Sequence, residues 1–260
     1  MQVVGGILIG FLLFAGLLIK TGAGDFFLNL AMVLGGPTRG GTAKVAILSS
    51  GFFGSLSGSI FSNIVSTGSI TIPAMKRSGY PDYYAGSIEA CASTGGVLMP
   101  PIMGAVAFVM ASMTGISYAN ILVAAAIPSF LFYLGLFIQV DGYAAKKGMA
   151  GIPREERPKF LEVIKEGWHF IFVIFFLVWG LVHMRWEALT PFYASGVLVI
   201  LAMLRKSTRL NWKQAIEAIE GVGKLLVETL GIILPLGLII SGLVITGIAP
   251  AFTTAIIKPS

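Results

Sequence analysis

The sequence predicts an all-α polytopic membrane protein with about six spanning helices, a re-entrant helical hairpin and one broken helix. Of its 260 residues, 56% are hydrophobic and 12% are charged, and the mean hydropathy is +0.88. These values are typical of multi-spanning membrane proteins. One apolar stretch, residues 54–101, is nevertheless rich in Ser, Thr, Asn, Gly and Pro. Irregular backbone at membrane depth must be buried in protein or line a wet cavity, so this stretch predicts broken helices.

Composition also argues against several other classes of protein. The net charge is +6, but the basic residues lie in short loops, which indicates a positive-inside topology rather than binding to nucleic acid. Cys91 is the single cysteine, so neither an internal disulfide nor a thiolate metal cluster is expected. The glycine-rich loop at 35–41 lacks the Gly-Lys-Ser/Thr ending of a phosphate-binding loop, and we expect no organic cofactor. His169 and His183 are predicted to anchor the ends of one apolar segment at the membrane interface.

The first unit, residues 1–42, is predicted to hold a spanning helix and an interfacial arm. Residues 3–19 form a continuous apolar run long enough to cross the bilayer. After glycine turn signals, residues 25–34 predict a short interfacial helix, which Asp25 can cap by accepting backbone N–H bonds.

Residues 43–112 form the second unit, which contains the hairpin and the broken helix. Residues 43–75 have basic residues at both ends; if basic loops stay in the cytoplasm, both ends lie on one side, which a re-entrant hairpin satisfies. Residues 84–112 then cross with an interruption, where Gly95 and Gly96 are expected to end one half-helix and Pro100 and Pro101 to open the next. The first half rises about 15 Å, roughly half of a 30 Å hydrocarbon core, so the interruption is expected near the midplane.

The remaining units follow from apolar runs and basic loops. We expect a spanning helix in 113–140, a cytoplasmic linker at 141–167 with six basic residues, a helix pair with a basic cytoplasmic loop in 168–214, and a last span in 215–260. The uncharged loop at 113–118 is placed outside. The last span runs outward along roughly 225–245.

An internal repeat connects the first and last spans. The pattern GLLI, TG, F at 16–26 resembles GLVI, TG, F at 242–252. The predicted topology makes the first copy run inward and the second outward, which is an inverted repeat. By this symmetry the second repeat is incomplete, and we expect a second hairpin beyond Ser260.

A cation site is predicted where the hairpin tip faces the interruption. The tip is placed among Ser55, Ser57, Gly58, Ser59, Ser62 and Asn63, opposite Ser93, Thr94, Gly95 and Gly96. Hydroxyl, amide and freed carbonyl oxygens suit sodium, and half-helix C-termini add partial negative charge. The half-helix N-termini, expected near Ser59 and Pro101, suit an anion. The alternative is that these small residues only permit tight helix packing.

Glu89 is a candidate because it is an ionisable residue inside a predicted span. It shares a helix face with Gly86 and Ser93. Three interpretations stay open: it carries a proton, it supports the cation site, or it lies shallow enough to contact water.

Two segments carry a family resemblance. SGSIFSNIVSTGSITIPAMKRSGY at 57–80 and EACASTGGVLMPPIMGAVAF at 89–108 resemble the large membrane subunit of tripartite ATP-independent periplasmic (TRAP) transporters, most closely the fused permeases of the TAXI branch. The resemblance is dense over 35–108 and weak beyond. It implies an elevator-like fold with two hairpins in a bacterial or archaeal inner membrane. It further implies sodium-coupled import of organic anions, mostly carboxylates, delivered by a periplasmic binding protein, with small membrane-subunit helices as further partners.

The resemblance also assigns residues. It places sodium at Ser57, Gly58, Ser59, Asn63, Ser93, Thr94, Gly95 and Gly96. It makes Ser62, Thr67, Pro100 and Pro101 substrate-proximal and Glu89 supporting. In two places the sequence departs from the family pattern: Ser62 stands where Ala is usual, and Val97 stands where a Gln commonly follows the glycine pair.

Two rival functions are carried forward. An intramembrane serine hydrolase would need Ser57 activated by a base such as His183, which is predicted near the outer surface. A channel could also use carbonyl-lined broken helices, but its flux would not depend on a binding protein.

Overall fold

The computed structural model describes residues 2–205, 208 and 212–248, and every regular element in that part of the chain is helical. The predicted all-α class is therefore confirmed. The α-helices are α1 Gln2–Lys20, α2 Ala23–Gly35, α3 Gly41–Ser57, α4 Ile60–Asn63, α5 Ser69–Arg77, α6 Asp82–Gly96, α7 Ala105–Thr114, α8 Tyr118–Lys147, α9 Phe160–Val182, α10 Thr190–Leu204 and α11 Trp212–Ile245. A π-helical segment, Ile64–Gly68, joins α4 to α5, and a 3-10 turn, Arg154–Glu156, precedes α9.

The first two helices form a bent pair. They meet at 70° across a short interruption, where Gly22 has a φ of 93° and precedes α2. Asp25 lies within the first turn of α2 and makes no side-chain cap. The predicted Asp25 cap is therefore wrong, because the left-handed Gly22 already turns the chain into the helix two residues earlier.

The predicted helical hairpin is present. Its first arm is α3, and its second arm is the continuous run of α4, the π-helical segment and α5. Gly58, with a φ of 63°, and the extended Ser59 make the turn between them. We call Ser57, Gly58 and Ser59 the tip.

The predicted broken helix is present, and its first half ends at Gly96 as predicted, but without a left-handed glycine, and its second half starts later than predicted. Gly95 and Gly96 lie inside α6, and the following residue, Val97, has an ordinary right-handed φ of −73°. Pro100 and Pro101 lie in the connecting segment, residues 97–104, which we call the break, and α7 starts only after Gly104. The glycines therefore do not provide a left-handed helix end. They permit close packing instead, as described below.

Three helices extend beyond their predicted limits. Helix α8 continues to Lys147, where basic residues favour a helix C-terminus and Gly148, at a φ of 65°, ends it. Helix α9 begins at Phe160 and α11 at Trp212. The first half of α11 is amphipathic, since Ala218 is buried while Glu220 and Lys224 form an exposed ion pair at 2.8 Å.

The helices pack as two groups. The first surrounds a core that includes Phe11, Phe14, Phe170 and Leu198; in it α1 packs on α10 and α11, and α9 packs on α10 and α2. The second surrounds Ala46, Ile47, Ile88 and Ala92 and joins α3 to α5, α6 and α8.

His169 belongs to the buried interior. It is 2% exposed, and its ring lies 4.0 Å from that of Phe170 between centroids. The prediction that His169 anchors the membrane interface is therefore wrong, because neighbouring helices cover this face of α9. His183, which follows the end of α9, is exposed.

A charged cluster fastens the start of the hairpin to the end of α8. The Lys44 ammonium lies 2.6 Å from Asp141 Oδ1, and Arg39 Nε donates to the same carboxylate at 2.9 Å. Next to this cluster, Tyr80 stacks on Tyr143, and burial raises the pKa of Tyr80 to about 12, so its hydroxyl stays neutral.

Two helices of the described part are long and apolar enough to cross a membrane by length and composition: α8 and residues 213–245 of α11. The bent pair of α1 and α2 would be a third. The count of about six spans and the inverted repeat stay predictions. Part of the second repeat copy, residues 249–252, most of the loop at 206–211 and the region after 248 lie outside the described residues.

Candidate functional site

Four helix ends meet where the tip contacts the break. Helix α3 ends and the arm beginning with α4 starts at the tip, while α6 ends and α7 starts on either side of the break. The backbone N–H of Ile102 donates to Ser55 O at 3.0 Å, and a Cβ added to Gly58 would lie 2.4 Å from Met103 O. The tip therefore rests directly on the backbone of the break.

This arrangement concentrates opposite partial charges in one place. The C-termini of α3 and α6 present partial negative charge, and the N-termini of the α4 arm and α7 present partial positive charge. Unpaired backbone groups at these ends are the usual means by which discontinuous helices bind ions and charged substrates. The tip and the break thus bring helix ends of both polarities together.

The two serines of the tip point their hydroxyls into this region. Ser57 Oγ lies 3.5 Å from both the backbone N and O of Ser59. Ser59 Oγ accepts from Ser62 N at 3.1 Å and so caps α4. The same hydroxyl donates to Glu228 Oε1 of α11 at 2.5 Å.

A cavity of about 170 Å³ opens beside the tip. Its walls come from α1, the tip, the break, α7 and α11, and the polar groups among its lining residues include Ser57, Ser59, Glu228 and Thr229. Sequence reasoning did not select Glu228. The sequence could have identified Glu228 as a candidate, because it is an ionisable residue inside the predicted span 225–245.

The break has a fixed shape. Tyr118 of α8 is buried and donates its hydroxyl to Pro101 O at 3.1 Å and to Ile102 O. Gly104 N donates to Val97 O at 2.8 Å and closes the loop. Met103 has a φ of 56°, an uncommon backbone conformation outside glycine. These contacts hold the carbonyl groups of the break against the tip.

A second polar centre lies about two helical turns from the tip, between the hairpin arms and α6. Glu89 is 0% exposed, and its carboxylate accepts hydrogen bonds from hydroxyls on both hairpin arms and on α6. The donors are Ser50 at 2.6 Å, Thr67 at 2.6 Å, Thr71 at 2.5 Å and Ser93 at 3.3 Å. We call these five residues the Glu89 cluster.

Asn63 connects the hairpin arms beside this cluster. Its side chain is fully buried; Nδ2 donates to Ser50 O at 2.8 Å, and Oδ1 lies 3.1 Å from Thr67 Oγ1. Thr67 has one hydroxyl proton, so Oδ1 accepts from it only when that proton is not donated to Glu89.

Gly54, Gly95 and Gly96 permit the close approach that builds both centres. A Cβ on Gly96 would lie 2.7 Å from the Cα of Gly54 on α3, and a Cβ on Gly95 would lie 2.3 Å from Phe132 of α8. For these glycines, the alternative reading of tight packing describes the observed contacts.

The structure divides the predicted site residues among several places. Of those predicted to bind sodium, Ser57, Gly58 and Ser59 form the tip, whereas Ser93 donates to Glu89 and Asn63 lies beside that cluster. Thr67, which was predicted to lie near the substrate, donates to Glu89 as well. The rest lie elsewhere. Thr94 is exposed and donates to Ala90 O at 2.7 Å; Ser62 borders a different cavity with Lys224; Pro100 lines an apolar cavity against α8; Pro101 belongs to the break.

Of the three interpretations of Glu89, contact with bulk water is wrong, because the side chain is fully buried. Ser50 and Thr71, which surround it, were missed by sequence reasoning. Both are hydroxyl residues on apolar helix faces, a weak signal that becomes informative only once α3 and α5 are packed on α6.

The chemistry of the site differs from that of a hydrolase. The described hydrogen bonds of Ser57 go to the backbone of Ser59, and His183 is exposed at the end of α9. Within the described residues there is no group of three or more His, Cys, Asp or Glu side chains able to hold a metal ion.

Comparison with known proteins gives several related permeases. The large permease protein DctM of a C4-dicarboxylate TRAP transporter from Pseudomonas aeruginosa is 30% identical over 193 residues, covering 74% of this chain and 44% of that protein. The large permease protein SiaM of a sialic acid TRAP transporter from Vibrio cholerae is 24% identical, covering 91% of this chain and 53% of that protein. An isethionate TRAP transporter permease, DctMQ, from Oleidesulfovibrio alaskensis is 32% identical over 54% of this chain and 22% of its own length.

The chain spans about half the length, or less, of these curated relatives. They are named as transporter permeases, which confirms the prediction that the chain is not an enzyme. Assignment to the TAXI branch stays a prediction. Residues 1–260 match, over their whole extent, the family described as the DctM component of the tripartite ATP-independent periplasmic transporter, and the protein therefore belongs to this family of TRAP large permeases.

Proposed function

We propose that this chain belongs to a secondary transporter that imports an organic anion together with sodium across a bacterial or archaeal inner membrane. The observation that carries the proposal is the meeting of four helix ends at the tip and the break. Two ends attract a cation and two attract an anion. A coupled transporter needs both sites close together, because each ligand then favours binding of the other.

The cation site is proposed at the tip. Backbone carbonyls at the ends of α3 and α6, with the hydroxyls of Ser57 and Ser59, offer oxygen ligands of the kind that hard cations prefer. Glu228, in contact with Ser59, adds a full negative charge nearby. This arrangement supports sodium as the coupling ion without a multi-carboxylate centre.

The anion is proposed to bind where the N-termini of the α4 arm and α7 face the cavity beside the tip. The relatives are named for C4-dicarboxylates, sialic acid and isethionate, all of which are organic acids. C4-dicarboxylates and sialic acid carry carboxylates, whereas isethionate is a sulfonate; we propose a carboxylate for this chain because two of the three named substrates are of that class.

Partners follow from the same relationship. Since the family is named for a tripartite periplasmic transporter, we propose that a periplasmic binding protein delivers the substrate and that small membrane-subunit helices, separate or fused, complete the permease. The group of α3, α5 and α6 would move as one body in an elevator-like step.

The test uses the complete transporter reconstituted in vesicles with its binding protein. Uptake of a labelled carboxylate is measured across a range of sodium concentrations, with potassium as replacement. Ser57→Ala removes one oxygen at the tip, and a loss of ~1.4 kcal/mol in cation binding corresponds to about a tenfold higher sodium requirement. Ser87→Ala is the matched control, because Ser87 is exposed and bonds within its own helix. Uptake that proceeds equally well in potassium would overturn the sodium proposal.

A further inference from the structure

Both hairpin arms and α6 place hydroxyl groups around the Glu89 carboxyl group. Its Oε1 accepts from Ser50, Thr67 and Ser93, and its Oε2 accepts from Thr71 at 2.5 Å. These donors come from α3, the π-helical segment, α6 and α5. The side chain has no exposed surface.

Within the part of the chain that the structure describes, no cationic side chain pairs with this carboxyl group. Among the described residues, the charged groups of the packed elements are engaged elsewhere or exposed: Lys44 of α3 pairs with Asp141 of α8, Lys76 of α5 pairs with Asp82 of α6, and Arg77 is exposed at the end of α5. From α8, the neutral Tyr133 hydroxyl donates to Ala92 O at 2.7 Å; Cys91 of α6 is exposed. A buried carboxylate without a cation carries a desolvation penalty of several kcal/mol, which a bound positive species would remove.

The spacing of the oxygens distinguishes a proton from a metal ion. Ser50 Oγ and Thr67 Oγ1 lie 2.6 Å from Glu89 Oε1 and 2.9 Å from each other. Ligands bound to a calcium-sized cation at about 2.4 Å stand roughly 3.4 Å apart when they are at right angles. The cluster is packed at hydrogen-bond distance, so a proton fits and a sodium ion does not.

The hydroxyls can serve both states of the carboxyl group, because each can donate or accept. In the ionised state they donate to the carboxylate. In the protonated state Oε1 donates to Thr67 Oγ1, and the Thr67 proton turns to Asn63 O, which lies 2.9 Å away. The π-helical segment places Thr67 for this exchange, and π-bulges are frequent at functional sites.

Thr67 also faces an outlet. A second cavity, of about 190 Å³, is lined on one side by Thr67 and Ser66 and on the other by Asp25 of α2, which is exposed. A proton can leave Glu89 through the Thr67 hydroxyl to water arriving from this cavity, which leaves a carboxylate on Glu89 and a hydronium ion outside the cluster. Binding follows the same route in reverse, with Asp25 at its outer end.

We propose that Glu89 is a reversible proton-binding site, reached through Thr67 from the cavity beside Asp25, and that its proton moves with the hairpin during transport. The site is separate from the sodium site proposed at the tip. Only the consequence for uptake rests on the proposed transport function; proton binding itself can be measured without transport.

The direct test is infrared difference spectroscopy of the purified complete transporter as the pH is raised and lowered. The expected result is a carbonyl band of a protonated carboxylic acid that shifts in deuterium oxide and is lost in Glu89→Gln. If Glu89→Gln does not fold, glutamate labelled with carbon-13 and the variant Thr67→Val, in which proton exchange should slow, give the same information. Ser66→Ala is the matched control, since Ser66 lines the same cavity but does not contact Glu89.

The second arm measures uptake in vesicles at fixed sodium with and without an inward proton gradient. Wild-type uptake should rise with the gradient, whereas in Glu89→Gln the ratio of the two rates should fall to unity while sodium dependence remains. The absence of a Glu89-dependent band, or a full response to the proton gradient in Glu89→Gln, would overturn the proposal. Failure of sodium-driven uptake alone would contradict the proposed function and leave the infrared result to decide on Glu89.

Discussion

The tip and the Glu89 cluster lie about two helical turns apart along the hairpin arms, yet they are built in opposite ways. The tip offers backbone groups at helix ends and opens on a cavity of about 170 Å³. The Glu89 cluster offers side-chain oxygens at distances down to 2.5 Å around a fully buried carboxyl group, and it borders a cavity at Thr67. Helix ends with an adjoining cavity can accept an ion and its water; hydroxyls packed at hydrogen-bond distance around a carboxyl group leave space for a proton only.

The difference teaches how one composition supports two kinds of site. Both centres are made of Ser, Thr, Asn and Gly within the same stretch of sequence. The two centres differ in their backbone. At the tip the helices end and expose polar backbone groups, whereas at the Glu89 cluster the helices continue and their backbone groups bond within the helix. Side chains alone then provide the polarity.

The largest effect is expected from Gly58→Ala. The new Cβ would lie 2.4 Å from Met103 O, at a φ of 63° that L-residues adopt at a cost of about 1–2 kcal/mol. The tip would have to leave the break, so uptake by the complete transporter should be abolished and its thermal unfolding temperature lowered. Thermal unfolding and vesicle uptake are the measurements.

Gly86→Ala is the control for this change. Nothing lies within 4 Å of a Cβ added at Gly86, and alanine inside a helix is favoured over glycine by about 1 kcal/mol. Stability should stay the same or rise. Normal uptake by Gly58→Ala would contradict the packing of the tip on the break.

A smaller effect is expected at the Glu89 cluster from Thr71→Val. Thr71 is buried and donates to Glu89 Oε2, and valine keeps its shape while removing the hydroxyl. Leaving a buried acceptor without this partner costs about 1–3 kcal/mol, so thermal unfolding should occur at a lower temperature. Ser69→Ala on the same helix is the control, because Ser69 is exposed and bonds to Ser66 O. Equal unfolding temperatures for both variants would contradict the hydrogen bond from Thr71 to Glu89.

The sequence predicted the tip and the break better than the cluster, for a physical reason. Turns and helix ends depend on local backbone preferences, so the residue types of Gly58 and Ser59 were enough to predict a turn there. The Glu89 cluster depends on tertiary packing, since Ser50 and Glu89 are 39 residues apart in sequence. Nothing local marks which of many hydroxyls will meet the carboxyl group.

The glycine pair illustrates an ambiguity of the same origin. A glycine can end a helix in the left-handed conformation or let two helices approach closely, and the sequence is identical in both cases. In the structure, Gly95 and Gly96 have the second role: they let α6 pack closely against α3 and α8. The predicted position of the helix end was nevertheless correct, because α6 ends at Gly96.

A change in sodium dependence is expected from Glu228→Gln. The amide oxygen can still accept from Ser59, which donates to Glu228 at 2.5 Å in the wild type, but the negative charge beside the tip is lost. Coulomb attraction in a membrane interior is weakly screened, and we expect the sodium concentration for half-maximal uptake to rise roughly threefold, or ~0.7 kcal/mol.

Glu220→Gln on the same helix is the matched control. Glu220 is exposed and pairs with Lys224, so its replacement should leave the sodium dependence as it is. Equal sodium dependence in Glu228→Gln and the wild type would mean that α11 supplies only packing at the tip.

The smallest effect is expected from Thr94→Ala. Thr94 belongs neither to the tip nor to the Glu89 cluster, so this variant tests whether the two centres are correctly delimited. Family resemblance assigns Thr94 and its neighbour Ser93 to one sodium site, but adjacent residues on a helix point about 100° apart. Ser93 is buried and donates to Glu89 at 3.3 Å, whereas Thr94 is exposed and its hydroxyl donates to Ala90 O in its own helix. Thr94→Ala should leave uptake, sodium dependence and unfolding temperature unchanged, while Ser93→Ala should lower stability by no more than about 1 kcal/mol. A rise in the sodium requirement of Thr94→Ala as large as that of Ser57→Ala would place Thr94 at the cation and contradict the division between the tip and the Glu89 cluster.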